Sequence, residues 1–133
     1  MANLTTTTID GSVTEKIGTA TVSGTTITVD LATGNFFEID FSSGASGDIA
    51  TFTISNTSGT HISSFVLKIT QDDPNRQITW GSLSAVKWPG GTGPTLTSGA
   101  QQAAFQDKDD ILSFTTYDYG TTWLGAVVGQ NYS

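Results

Sequence analysis

The sequence predicts an all-β fold: an antiparallel β-sandwich, jelly-roll-like, of about eight strands, preceded by an extended N-terminal arm. Three observations lead there. Apolar residues alternate with polar ones over short runs, which is the period of a strand with one face buried. Threonine outnumbers every other residue type and glycine follows with 15, the composition of β-branched strands cut by tight turns. Turn residues recur roughly every ten positions and no long helical period interrupts them, which favours a sandwich over alternating helices and strands.

Taken in order, residues 1–12 offer few positions that look buried, and Thr5 to Thr8 suit an extended arm that orders only against a neighbour. The remainder, 13–133, reads as one domain, a length that can bury a core between two sheets. In 20–31, Ile27, Val29 and Leu31 share a face, after a Ser23-Gly24 turn. In 37–41, Phe37, Ile39 and Phe41 point inward and Glu38 and Asp40 outward. Residues 49–55 place Phe52 and Ile54 together, and 64–70 do the same for Phe65, Leu67 and Ile69. Asp72-Asp73-Pro74-Asn75 forces a turn. Short strands are expected at 76–80 and 85–88, before the turn-dense run 89–94. A hairpin closes the chain: 111–117, a turn at Asp118-Tyr119-Gly120, then 122–128. The stretch 98–110 alone has helix-compatible composition, and its short length and flanking glycine and acids make it a loop with at most one helical turn.

Composition narrows the function. Twelve acids oppose five bases, for a net charge of -7, and charged residues are only 13% of the chain. Lys16, Lys68, Arg76, Lys87 and Lys108 are scattered, so the clustered cations that hold a phosphate backbone are missing and no nucleic-acid partner is expected. No cysteine is present, which excludes disulfides and thiolate metal sites. No apolar run approaches the roughly 18 residues of a membrane span, and no leader pattern opens the sequence, so a soluble, unprocessed chain without a membrane partner is expected.

The search for chemistry yields no catalytic, cofactor-binding or metal residue, and no cofactor is expected. His61 is the single histidine and sits in a Ser/Thr/Gly loop without a nucleophile motif. Neither a zinc motif nor a glycine-rich phosphate loop occurs. Paired carboxylates could serve a glycosidase, yet Glu38 and Asp40 face outward on one strand, and Asp107, Asp109 and Asp110 read as a solvated loop. The same acids lack the spacing of a calcium loop. The chain is read as a non-enzyme.

The aromatics say more. Trp80, Trp88, Tyr117, Tyr119, Trp123 and Tyr132 all lie in the C-terminal half. Trp80 and Trp123 are expected to fill the core, whereas an aromatic at a hairpin tip, Tyr119, is placed for contact. Leu4 and Ile9 in the arm and Trp88 and Pro89 at the turn-dense loop complete the candidate contact residues.

The segments Ile78-Thr79-Trp80, Val86-Lys87-Trp88-Pro89-Gly90-Gly91-Thr92-Gly93-Pro94-Thr95-Leu96, Asp110-Ile111-Leu112-Ser113-Phe114 and Gly120-Thr121-Thr122-Trp123-Leu124-Gly125 form an ordered series. The series resembles a module of tailed-bacteriophage virion proteins, found in tail-fibre-like proteins and in small head or tail components. The upstream runs 28–31, 34–40 and 65–72 fit it too, so the likeness extends from about Gly24 onward. It implies a virion building block, assembled in the host cytoplasm, and carries no enzymatic residue. A small acidic β-domain of this kind is expected to be a capsid decoration (cement) protein. Its partners would be the major capsid protein or other virion proteins, and it would form a homo-oligomer about a capsid symmetry axis, for instance a homotrimer. The alternative is a short tail-fibre or receptor-binding component, with loops 82–95 and 118–121 touching host surface glycan or protein.

Overall fold

The computed structural model of the chain describes residues 14–72, 75–80, 85–98 and 107–133. Leu4, Ile9 and the whole of the expected arm lie outside them. Two sheets face each other. The smaller runs in the order β1 (Ala20–Ser23), β2 (Thr26–Asp30), β4 (Thr51–Ser55). The larger runs β3 (Phe36–Asp40), β5 (Ser63–Thr70), β7 (Asp109–Thr116), β8 (Trp123–Tyr132), β6 (Val86–Lys87), and curls as a half-barrel. The fold is all-β and sandwich-like.

Strand alternation builds the core. Ile27 and Val29 from β2 meet Phe37 and Ile39 from β3, Phe65, Leu67 and Ile69 from β5, and Leu112 and Phe114 from β7, all buried. At the centre Phe65 stacks on Phe114 with ring centroids 4.9 Å apart, and meets Phe37 and Trp123 edge-on at 5.8 and 5.3 Å. Offset and edge-on geometries of this kind favour the pair beyond simple area burial.

Five strands cannot be covered by three, so the β7, β8 and β6 side of the larger sheet needs another lid. The irregular segments at 75–80 and 88–98 supply it. Ile78, Trp80, Trp88 and Leu96 are buried there, Trp80 lies 4.6 Å from Trp88, and both indoles reach Phe114. Trp80 donates its Nε1 hydrogen to Pro94 O at 2.8 Å. A Cβ at Gly93 would collide with the Trp80 side chain, so glycine at that position lets the loop lie flat on the ring.

Strand directions correct the purely antiparallel, jelly-roll-like expectation. β1/β2, β5/β7 and β7/β8 are antiparallel, but β2/β4, β3/β5 and β6/β8 are parallel. The chain crosses from the small sheet to the large one after β2, back for β4, and over again for β5. Each return lays a strand beside its predecessor in the same direction. The strand inventory shifts as well. The Ser23-Gly24 turn joins two strands, with Gly24 at φ 60. Residues 76–80 form no strand: Ile78 makes one parallel bridge to Ile49, held by Ile49 N–H to Gln77 O and Thr79 N–H to Ile49 O, each 2.8 Å.

Candidate functional site

The apolar surface that the fold leaves uncovered gathers on β8. From Trp123 to Ser133 the chain carries no charged side chain, and Leu124, Val127, Val128 and Tyr132 are all exposed, Val128 by 57%. Leu124 and Ala126 stand opposite Thr115 and Ser113 of β7 on the outer face of the larger sheet. Val127 pairs with buried Leu112 and so lies on the core side, yet it is 45% exposed. The strand thus presents carbon on both faces. Exposed apolar side chains gathered on one strand of an acidic protein mark a contact site more often than singly scattered ones do.

Among the described residues, one long side of β8 beyond Leu124 has no strand paired along it. β6 pairs with only Trp123 and Leu124, Ala85 O accepting from Trp123 N–H at 2.7 Å, and no described strand continues along that side. Register shifts between Asp109 and Ile111 and between Ile111 and Leu112 put extra residues into β8, Val128 among them. Such bulges twist an edge away from long ladder pairing, so β8 offers side chains more than backbone.

A buried carboxylate anchors the end of this strand. Asp110, expected from sequence to be solvated, is 2% exposed and belongs to β7. It accepts from Asn131 N–H at 2.9 Å, Thr97 N–H at 2.5 Å, Gln130 Nε2 at 3.2 Å and the Thr97 hydroxyl. The carboxylate thereby ties the loop under the sheet to the C-terminal residues. Gln71 does similar work beside it, donating to Arg76 O and Thr97 O and accepting from Arg76 N–H. Arg76 pairs with buried Asp72 at 2.9 Å.

Two of the contact candidates named from sequence separate. Trp88 is a correction: it is buried under the larger sheet, part of the lid that a five-on-three sandwich requires, while Pro89 beside it is exposed. Tyr119 sits at the β7–β8 tip in the left-handed region at φ 58 and is exposed, with Tyr117 nearby. Asp118 builds that tip. Its Oδ1 accepts from Thr122 N–H at 2.8 Å and from the Thr116 hydroxyl at 2.9 Å. These bonds, the Thr122 amide foremost, hold the Asp118 carboxyl below its ordinary value against an opposing desolvation. A Cβ on Gly120 would come within 3.1 Å of Thr57, so the tip rests on the loop between β4 and β5. That loop helps line an uncharged cleft of about 730 Å³ with Leu31, Asn35, Asn56 and Ile62.

His61 lies exposed in the same loop, its Nδ1 2.7 Å from the Thr60 hydroxyl, while Ser58 Oγ accepts from His61 N–H at 3.0 Å. Among the described residues no three His, Cys, Asp or Glu side chains come together as a metal group, and no helix is long and apolar enough to cross a membrane. No family model, curated protein or solved structure matches the chain.

Proposed function

We propose that this protein is a non-enzymatic structural component of a tailed-bacteriophage virion, a decoration protein that attaches to the assembled capsid and stabilises it. The observation that carries the reading is the uncharged apolar surface of β8, exposed on a chain of net charge -7. A protein that adds contacts across a preformed shell needs a rigid patch whose burial is favourable without partner charges, at about 25 cal/mol per Å² of apolar area. Binding to the assembled form alone then stabilises that form by mass action. The sequence series described above supplies the virion context.

A second reading has its own support. Tyr117 and Tyr119 project at the tip beside the uncharged cleft, a Tyr, Ser and Asn surface of the kind that recognises host glycan or protein in a receptor-binding component. Quantitative gel densitometry of purified particles, with electron microscopy, separates the two. Hundreds of copies over the shell establish decoration; a handful confined to the tail move the function to host attachment.

A further inference from the structure

Besides β8, the larger sheet has a second edge, β3, and it opens onto a groove. The groove holds about 530 Å³ between β1 and β3 and is lined by Thr21, Val22, Glu38, Asp40, Ser43 and Lys68 among others. In a parallel strand alternate residues aim both backbone groups at the same edge. Gly18 N–H donates to Phe36 O at 2.8 Å, and Ile17 and Phe36 form a parallel bridge. Phe36 therefore faces the edge, and so do Glu38 and Asp40. Beyond that single bridge, no described residue pairs with Glu38 along the groove.

The chain already shows that this edge accepts an extended segment, since residues 16–18 lie on its first residue. They cannot fill the rest. Lys16 O is packed against Gly34, where a Cβ would collide with it, so the chain reaches β3 from its start. Residues 14 and 15 therefore lead away from Glu38. The occupant has to come from elsewhere, bring a run with strand propensity, and bring no acid toward Glu38 and Asp40. Residues 1–9, outside the described residues, meet those terms: they contain Thr5-Thr6-Thr7-Thr8-Ile9 and no charged side chain, in a chain with 12 acids. Nine extended residues span about 30 Å, against about 17 Å for the five of β3.

Independently of what β8 docks to, we propose that the β1–β3 groove takes residues 2–9 of a second copy of this chain as an added strand on β3. The arm of one copy completes the sheet of the next. This head-to-tail contact closes into a ring where the rotation permits. Glu38 supplies the N–H and C=O that the incoming strand pairs with, and the β-branched threonines rest on the groove wall.

Because the chain has no cysteine, the contact can be trapped. Chains carrying Thr5→Cys, Thr6→Cys, Thr7→Cys or Thr8→Cys, one substitution each, are mixed with chains carrying Glu38→Cys, oxidised, and run on non-reducing gels. The expected result is a mixed covalent dimer that favours alternate arm positions. In sedimentation velocity, Thr6→Pro/Thr8→Pro in the unlabelled protein should weaken association at least tenfold while circular dichroism is unchanged. A mixed dimer no more abundant than that formed with a Cys at exposed Ser133 overturns the proposal. So does a disulfide that forms only within a Thr6→Cys/Glu38→Cys double variant, which would place the arm in its own groove. An oligomer indifferent to the prolines, or a chain that stays monomeric at all concentrations, overturns it as well.

Discussion

Gly125 and Trp88 share one space: a Cβ on Gly125 would stand 2.7 Å from Trp88 Cη2, so the indole lies against bare backbone of β8. Gly125 is paired with buried Phe114, and Trp88 packs on the same Phe114 with centroids 5.7 Å apart. The consequence is a stability test. Gly125→Ala should push the indole off the sheet at an overpacking cost of about 1–3 kcal/mol, despite alanine's better backbone entropy. Urea denaturation followed by tryptophan fluorescence measures it, and an unchanged midpoint would show that the lid has slack.

Asp110 is expected to be the most sensitive polar position. Asp110→Ala removes the acceptor of the half-buried Thr97 amide and of the Asn131 amide, and the loss is expected to cost about 1–3 kcal/mol in all. The C-terminal end of β8 should lose hydrogen-exchange protection before the rest of the sheet does.

Asp118 sets part of the acid limit. Its carboxyl is held below 3.8 in the folded chain, so the folded state binds its proton less readily than the unfolded one. Its stabilising contribution is therefore complete above the unfolded value and fades as pH falls through the folded one. Thermal scans of Asp118→Asn and the parent should differ at pH 6, and the difference should shrink as pH falls through the folded value, below the ordinary carboxylate range.

The β8 surface predicts separable binding and folding. Val128→Asp places a charge on an exposed side chain, so unfolding should shift by no more than about 0.5 kcal/mol. Under the proposed decoration role, attachment to purified shells lacking the protein should fall at least tenfold. Retained attachment would remove β8 from the docking surface.

What could be read from sequence was the face of each strand. Ile27, Val29, Phe37, Ile39, Phe41, Phe65, Leu67 and Ile69 all lie in the core where alternation places them. What could not be read was partnership. Alternation is blind to which strand lies alongside, so the parallel pairs from repeated sheet crossing were missed. Trp88 was misplaced because proline and glycine beside it mark a loop, whereas only the mismatch of sheet widths makes that loop a lid. Asp110 was read as solvated with its acidic neighbours, although it continues the alternation through Leu112 and Phe114. That parity was the available signal, and it was set against the rarity of buried carboxylates.

The crossings between sheets also bear on how the chain folds. β2 finds β4 across 25 residues, Thr26 to Thr51, and β3 finds β5 across 30, Phe36 to Val66, with each loop containing a strand of the opposite sheet. For these two parallel pairs the loop-closure entropy falls due before the contacts that offset it. Refolding is expected to be slow for a chain of this length, which stopped-flow tryptophan fluorescence would measure. Slow closure of these two parallel pairs leaves strand edges unpaired for longer, and the chain's net charge of -7 then acts against aggregation while it folds.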